Sequence, residues 1–208
     1  MSGPRILVVC ALLPEVREAV LPPHVDVLVC GVGPVEAAIA TARALATTRY
    51  AAVVNAGIAG AFRGSAHVGD AVIVEDEVLA DFGLEGGGAL ALPEGARLAD
   101  RVAADVGLLR RCGGALRRAR GLTVAEVTAT DATALRLRER YACDVESMEG
   151  FSVLRAAAVA QIPALEVRGI SNFVGDRARS QWDFAAGARA AARALETVVQ
   201  ALSEESEG

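Results

Sequence analysis

Short, almost continuously apolar runs alternate along the chain with longer Ala-rich runs. The runs at 5–11 and 25–30 lack the polar–apolar alternation of a half-exposed strand, which indicates parallel strands buried on both faces. A third strand is predicted over 51–56, ending in a glycine-containing turn from Asn55 to Gly60. The apolar pattern therefore predicts a sheet of buried strands.

Two further segments refine this pattern. Over 70–80, the alternating acids Glu75 and Glu77 indicate a strand with one wetter face. Apolar residues in 34–47 follow helical spacing behind Pro34, a residue that suits the first turn of a helix. The predicted strands are 5–11, 25–30, 51–56, 70–80, 117–128 and 163–171, and the predicted helices are 14–20, 34–47, 97–108, 131–141, 149–161 and 181–202.

This alternation predicts an α/β fold, a three-layer α/β/α sandwich with a central mixed sheet. We expect one domain over 1–208, with the acidic residues 203–208 as a frayed tail. Ligands of such sheets bind beyond the carboxyl ends of the strands. The turn after Ala11, the turn at 55–60 and the pair Ser171-Asn172 are therefore expected to meet at one opening.

The composition narrows the possible partners. The formal net charge is −5 and the isoelectric point about 5.2, so nucleic-acid phosphates are not an expected partner. Although 53% of the residues are hydrophobic, no apolar run approaches the roughly 18 residues of a membrane span. We expect a cytoplasmic protein that contacts neither nucleic acid nor membrane.

The basic, thiol and imidazole side chains exclude several chemistries. All 21 basic residues are arginine, which excludes lysine nucleophiles and lysine Schiff bases. Cys10 and Cys30 lie inside apolar runs and are predicted to be core residues, and the chain has no Cys-x-x-Cys pair. With only His24 and His67, a zinc site is not expected. We expect neither a metal nor a cofactor.

Polar residues at predicted strand and helix ends are the candidates for chemistry. Glu15, just after the first strand, taken alone fits a first-turn glutamate that interacts with a helix dipole. A helix start at Glu149 would stabilise its carboxylate as an anion that accepts hydrogen bonds, as from a sugar diol. Met148 offers an apolar surface to a ribose ring, although methionine is commonly core. The Asn172 amide carries one donor and one acceptor end and so complements a purine edge, although asparagine also forms turns.

Six short motifs occur in the order found in the methylthioadenosine/S-adenosylhomocysteine nucleosidase branch of the nucleoside phosphorylase family. On these motifs the chain resembles that branch along its whole length. They are Ala11-x-x-x-Glu15-Val16, Gly31-Val32-Gly33, Asn55-x-Gly57-x-Ala59-Gly60, Val68-Gly69-Asp70, Met148-Glu149 and Val167-Arg168-x-Ile170-Ser171.

The resemblance implies a nucleoside phosphorylase-like fold and a small-molecule nucleoside substrate. Glu15 would activate or position the attacking water, and Glu149 would accept hydrogen bonds from the ribose hydroxyls. A homo-oligomer, a dimer or a tetramer, is also implied. The implied substrate-binding residues are Met148, Glu149, Phe151, Ile58 and Ser171.

At two positions the chain departs from the adenine-specific members. They carry Asp where this chain has Asn172, and their Asn-x-Gly turn carries Ser where this chain has Ile58. The segment 146–150, Glu-Ser-Met-Glu-Gly with its additional Ser147, and the Ile-Ser-Asn at 170–172 resemble instead the futalosine hydrolase branch. Members of that branch release hypoxanthine from futalosine in menaquinone biosynthesis.

Asn172 gives this departure a physical meaning. An Asp accepts from the six-amino group of adenine and, as an acid, donates to the nitrogen at position seven. Hypoxanthine carries an oxo group at position six, to which an asparagine amide donates while its oxygen accepts from a protonated nitrogen seven. A mispaired buried polar group costs about 1–3 kcal/mol, roughly a tenfold to hundredfold discrimination. The sequence therefore favours a 6-oxopurine.

The expected mechanism is a dissociative displacement. The ribose gains oxocarbenium character while Glu149 holds the diol, Asn172 stabilises the leaving base, and water held by Glu15 attacks. Three alternatives remain open: an adenine-releasing nucleosidase, a purine nucleoside phosphorylase and a non-catalytic nucleoside- or dinucleotide-binding module. Against the phosphorylase, residues 12–15 read Leu-Leu-Pro-Glu where phosphorylases of this family carry Gly-Asp-Pro.

Overall fold

The computed structural model describes residues 4–85, 90–94, 96, 98–178 and 182–204. In these ranges most strands are followed by a helix, as the sequence predicts. The strands are β1 (Ile6–Cys10), β2 (Val25–Val29), β3 (Ala52–Ala61), β4 (Ala71–Leu79), β5 (Arg101–Ala103), β6 (Arg117–Thr123), β7 (Val145–Ser147) and β8 (Ala164–Phe173). The helices are α1 (Pro34–Thr47), α2 (Val106–Arg111), α3 (Asp131–Tyr141), α4 (Gly150–Val159) and α5 (Phe184–Glu204), with a 3-10 turn at Leu13–Glu15.

The strands form one mixed sheet in the order β2-β1-β3-β7-β6-β4-β5, with β8 paired to both β3 and β4. β3 runs parallel to β1 and β8, whereas β7 is antiparallel to β3 and β4 is antiparallel to β8. Because β6 pairs with both β4 and β7, five strands (β3, β8, β4, β6 and β7) close into a ring. Small apolar side chains from these strands, among them Ala59, Val74 and Ile170, pack together in a buried cluster.

Helices cover both faces of the sheet. Successive residues of a strand point to opposite faces. Leu7 and Val9 of β1 pack in one cluster with Val153 of α4, and Val8 packs in a second cluster with Leu195 of α5. The two clusters confirm the predicted α/β/α sandwich with a central mixed sheet.

Several local predictions are confirmed. Helix α1 begins at Pro34 and spans the predicted 34–47, and α3 spans the predicted 131–141. The side chain of Thr130 caps α3 by accepting a hydrogen bond from the Thr133 amide at 3.1 Å. Cys10 and Cys30 are both buried, as predicted for core residues.

The helix predicted over 14–20 is wrong. Only the 3-10 turn Leu13–Glu15 forms there. The Glu15 carboxylate accepts a hydrogen bond from the Leu12 amide at 2.8 Å, which folds the side chain back onto the turn. A segment this short lacks the length that an isolated helix needs.

The predictions for the second and third strands need correction. β2 lies at the edge of the sheet rather than inside it, and Val29 is 48% exposed. The turn predicted from Asn55 to Gly60 is instead the continuation of β3 to Ala61. Glycine serves here because a Cβ at Gly60 would lie 3.0 Å from Nδ2 of Asn172 on the neighbouring strand.

The segment 97–108 is not the single helix that its pattern predicts. Arg101–Ala103 forms strand β5, which pairs antiparallel with β4. Helix α2 follows and is capped by Asp105, whose side chain accepts from the Leu108 amide at 2.9 Å. The strand predicted over 117–128 ends at Thr123.

Glu77 contradicts the predicted wetter face of β4. Its side chain is fully buried, whereas that of Glu75 is 40% exposed and pairs with Arg118. The register between β4 and β6 shifts between Val74 and Asp76, and such a bulge breaks the alternation of side chains. The bulge therefore turns Glu77 into the interior.

The predicted tail also differs. Helix α5 continues to Glu204, so the tail predicted over 203–208 overlaps its last turn, and 205–208 lie outside the described residues. None of the helices in the described ranges combines the length and apolar character that a membrane span requires.

Candidate active site

A cavity of about 330 Å³ lies where the turn after β1 meets strands β3, β7 and β8. This confirms the predicted meeting of three chain segments at one opening. Six of the seven residues predicted for the site line the cavity: Glu15, Ile58, Met148, Glu149, Ser171 and Asn172.

Phe151, the seventh predicted residue, is absent from the cavity wall. It belongs to the first turn of α4, and its side chain is buried. Its backbone amide donates to Oγ1 of Thr123 at 2.8 Å. The structure therefore gives Phe151 a contact inside the fold, behind the site.

Glu15 is held by main-chain groups. Oε2 accepts from the Leu12 amide at 2.8 Å, and Oε1 accepts from the Ile58 amide at 3.1 Å. The residue is only 4% exposed, and this burial raises the pKa of its carboxyl, against the lowering effect of the two amides. A buried carboxylate with a raised pKa is a stronger base than an ordinary glutamate.

Glu149 is stabilised differently from the expectation. It precedes α4, but its side chain makes no capping hydrogen bond to that helix. Oε1 instead accepts from the Gly33 amide at 2.9 Å, and Oε2 lies 3.7 Å from Nη1 of Arg168. The amide of Gly33, the N-cap of α1, and the Arg168 guanidinium thus stabilise the carboxylate in place of the expected N-terminus of α4.

Ser171 and Asn172 form a small hydrogen-bonded unit at the end of β8. The Ser171 hydroxyl is 2.8 Å from Oδ1 of Asn172 and 3.2 Å from the carbonyl oxygen of Ala59. Nδ2 of Asn172 donates to the carbonyl oxygen of Phe173 at 3.0 Å. These contacts orient the amide at the cavity wall.

Arg168 is a member of the site that the sequence reasoning left without a role. It is fully buried, donates from Nε to Glu166 at 2.7 Å and from Nη2 to Asn55, and reaches the Ile58 carbonyl at 3.3 Å. Burial alone would lower its pKa, but Glu166 and Glu149 raise it, so the guanidinium stays charged. The available signal was the pair Glu166 and Arg168, an acid and a base two residues apart in a mostly apolar strand.

Glu146 was also missed. Its carboxylate lines the cavity and accepts from both the amide and the hydroxyl of Thr128, at 3.0 and 2.5 Å. Burial raises its pKa, while the Thr128 contacts lower it. Glu146 belongs to β7 and opens the segment 146–150 that resembles the futalosine hydrolase branch, so the available signal lay in that segment.

Comparisons with known proteins agree with this architecture. Residues 23–204 match the family model of the phosphorylase superfamily, and the chain therefore belongs to that family. It is 37% identical over 173 residues to the futalosine hydrolase of Thermus thermophilus, covering 79% of this chain and 76% of that protein. It is 39% identical over 171 residues to the futalosine hydrolase of Streptomyces coelicolor, covering 78% and 73%. The resemblance to the nucleoside phosphorylase family and to its futalosine hydrolase branch is confirmed.

Solved structures share the fold at low sequence identity. The futalosine hydrolase of Helicobacter pylori superposes with a TM-score of 0.81 at 15% identity, covering 95% of this chain and 98% of that chain. A methylthioadenosine/S-adenosylhomocysteine nucleosidase from Colwellia psychrerythraea, in complex with adenine, superposes with a TM-score of 0.80 at 19% identity, covering 97% and 96%. The nucleoside phosphorylase-like fold is thereby confirmed.

Proposed function

We propose that this chain hydrolyses the N-glycosidic bond of futalosine, releasing hypoxanthine and dehypoxanthine futalosine, a step of menaquinone biosynthesis. The observation that carries the proposal is the convergence of Glu15, Glu149 and Asn172 on one cavity. The identity of 37–39% to curated futalosine hydrolases supports the choice of substrate.

The surroundings of Asn172 support a 6-oxopurine as the leaving base. The carbonyl oxygen of Phe173 can only accept a hydrogen bond, so the side-chain atom that faces it must be the amide nitrogen. That nitrogen carries a second hydrogen, which is available to the cavity. An oxo group at position six accepts this hydrogen. The amino group of adenine is itself a donor and cannot accept it.

Glu146 supports the same base from the opposite side. Gly60 pairs with Asn172 on one neighbouring strand and with Glu146 on the other, so both side chains leave the same face of the sheet. Their backbones are two strand spacings, roughly 10 Å, apart, and both side chains line the cavity. A carboxylate there accepts from the ring N–H at position one, a donor that 6-oxopurines carry and adenine lacks.

In the mechanism that fits this cavity, different residues act on the ribose and on the base. Glu149, fixed by the Gly33 amide, accepts hydrogen bonds from the ribose hydroxyls, while Met148 contacts the ring. As the glycosidic bond stretches, Asn172 stabilises the negative charge on the departing base. Glu15 takes a proton from the attacking water, whose oxygen bonds to the anomeric carbon as the bond from that carbon to the base breaks. The departing base takes up a proton from solvent and leaves as neutral hypoxanthine, and Glu15 returns its proton to solvent.

The deciding experiment offers the purified chain two substrates. With futalosine we expect release of free hypoxanthine, which chromatography detects. Its kcat/KM should be well above that for adenine release from methylthioadenosine. A preference for methylthioadenosine would replace the proposal with the adenine-releasing nucleosidase. Binding of futalosine without base release would indicate a non-catalytic module.

Phosphate separates hydrolysis from phosphorolysis. A hydrolase releases hypoxanthine at the same rate in phosphate-free buffer, whereas a phosphorylase needs phosphate as the nucleophile. Phosphate-dependent turnover with a sugar phosphate as product would contradict the proposal.

We also propose that the protein acts as a homo-oligomer, as the family resemblance implies, and that it does so in the cytoplasm, as its composition favours. Exposed apolar side chains at the rim of the cavity support an oligomer, because Leu12 and Val32 line the cavity and are 43% and 53% exposed. Isolated apolar side chains are common on surfaces, but two beside a ligand cavity favour a covered position.

A further inference from the structure

Two carboxylates, Glu77 of β4 and Glu166 of β8, lie fully buried outside the cavity wall, and the proposed mechanism uses neither. Oε2 of Glu77 is 2.7 Å from the Thr123 hydroxyl, and Oε1 of Glu166 accepts from Nε of Arg168 at 2.7 Å. The second oxygen of each carboxylate, Oε1 of Glu77 and Oε2 of Glu166, has no hydrogen-bond donor among the described residues.

The two unpartnered oxygens share one gap. A Cβ on Gly150 would stand 2.5 Å from each of them, so they are at most 5.0 Å apart. Two ionised carboxylates at this separation in a dry interior repel each other strongly. A proton on one of the two oxygens removes the repulsion and supplies a hydrogen bond to the other, and a side-chain hydrogen bond between Glu77 and Glu166 is among the causes that shift the pKa of both carboxyls.

The hydrogen bonds around Thr123 place that proton. The Thr123 hydroxyl accepts from the Phe151 amide at 2.8 Å and donates its single hydrogen to Oε2 of Glu77 at 2.7 Å. Oε2 is therefore an acceptor, and Oε1 is left to carry the proton towards Glu166. Arg168 holds the charge on Glu166 in place.

The charged surroundings agree with this assignment. The charged and titratable groups that face Glu77 are Glu166 and Arg168 of β8 and Cys143 before β7, while α4 meets it with Gly150. Burial, together with the nearby charge of Glu166, raises the pKa of Glu77 well above the usual range, against the weaker lowering by Thr123 and Arg168.

We propose that Glu77 is a positioning residue that, as the neutral acid, donates a hydrogen bond to Glu166 and thereby fixes Arg168 between the two carboxylates of the active site. Nη1 of Arg168 lies 3.7 Å from Oε2 of Glu149. The same Nη1 and Oε1 of Glu15 would lie 2.8 and 2.9 Å from a Cβ on Gly57, so the guanidinium also borders Glu15.

The proton on Glu77 can be detected without any substrate, from the pH dependence of the stability of the folded protein. A carboxyl that keeps its proton in the folded state and loses it on unfolding makes the protein less stable as pH rises above about 4.3, the pKa of an unfolded glutamate. The variant Glu77→Gln keeps a donor towards Glu166 and has no proton to release. Above about pH 5, the unfolding constant of the wild type should therefore rise with pH relative to that of Glu77→Gln, by up to about tenfold per pH unit, until the pH reaches the raised folded-state pKa of Glu77.

Urea titrations of both proteins at several pH values measure this difference. Glu75→Gln, on the same strand with an exposed side chain, is the control for removing one carboxylate from β4. A wild-type-to-Glu77→Gln ratio that does not change with pH would mean that Glu77 is ionised in the folded protein, and the proposal would be wrong.

The positioning role is tested by activity and rests on the proposed function. Glu77→Met removes the donor and should lower kcat by up to about a hundredfold, as misplacement of a catalytic group does. Glu77→Gln, which restores the donor, should recover most of that loss. Equal kcat values in the two variants would overturn the positioning role. The urea titrations need no substrate, so they test the proton on Glu77 independently of the proposed hydrolysis. Either proposal can therefore be wrong while the other is correct.

Discussion

At the scale of single residues, Glu15 is the group on which hydrolysis depends most. A general base contributes about 10²–10⁴-fold to a rate, and Glu15→Gln removes the base while nearly preserving side-chain shape. We expect kcat to fall by that factor while futalosine still binds, measured by single-turnover kinetics and calorimetry. Glu18→Gln, an exposed neighbour, is the matched control. Near-normal turnover in Glu15→Gln would contradict the assignment.

The burial of Glu15 predicts a pH dependence. Its pKa lies above the usual range, chiefly because of burial, and it must be ionised to take a proton from water. The activity is therefore present above this raised pKa and is lost as pH falls through it. We expect the acid limb of kcat/KM to lie above about pH 4.3, the value for an unperturbed glutamate. A limb at or below that value would speak against Glu15 as the base.

Asn172 determines the base in our proposal, and Asn172→Asp tests it. A carboxylate at this position would face the Phe173 carbonyl oxygen, 3.0 Å from the present amide nitrogen, as well as the oxo group of the base. We expect hypoxanthine release to fall about tenfold to a hundredfold, with a smaller loss for adenine release from methylthioadenosine. Asn172→Ala, which removes both hydrogen bonds, is the control. An unchanged ratio of the two activities in Asn172→Asp would exclude this role.

At the scale of elements, the contact between α5 and β8 supports the site. A Cβ on Gly169 would lie 2.0 Å from the Gly187 carbonyl oxygen and 2.5 Å from the Ala191 nitrogen, both backbone atoms of α5. Gly169→Ala would push the helix away from the strand that carries Ser171. We expect a loss of about 1–3 kcal/mol in the free energy of unfolding, measured with urea.

Gly114 provides the comparison for that variant. A Cβ there would meet nothing within 4 Å, and the residue is exposed. Gly114→Ala should therefore change stability by much less than Gly169→Ala. Equal effects of the two substitutions would mean that the close approach of α5 is not the cause.

Elements with strong local signals could be predicted from the sequence, and others could not. α1 and α3 begin and end where periodicity and end residues place them. β5 has no such signal, because its pairing with β4 decides its conformation. β3 was cut short in the prediction because glycines read as a turn, whereas here they leave room for side chains of β8.

The site was predicted to the extent that its residues follow strand ends. Glu15 and Asn172 were found this way, and both line the cavity. Arg168 was not found, since its role comes from partners on three other segments, including Asn55 and Glu149. Long-range contacts of this kind leave no periodicity in a single sequence.

At the scale of the whole molecule, the state of assembly stays a prediction. Light scattering during size exclusion should give a mass of two or four chains of 21.4 kDa. If the exposed rim around Leu12 and Val32 is covered by a second copy, Val32→Asp should shift the mass towards the monomer. A monomeric wild type at micromolar concentration would contradict the expectation.

The attachment of Glu15 to two backbone amides has a consequence for redesign. Every amino acid except proline supplies the amide that positions 12 and 58 contribute. The side chains of Leu12 and Ile58 both line the cavity. They can therefore be exchanged without removing the two backbone hydrogen bonds that hold the Glu15 carboxylate. A library randomised at 12 and 58 would thus explore new nucleosides around an unmoved reaction centre, with proline as the residue to omit.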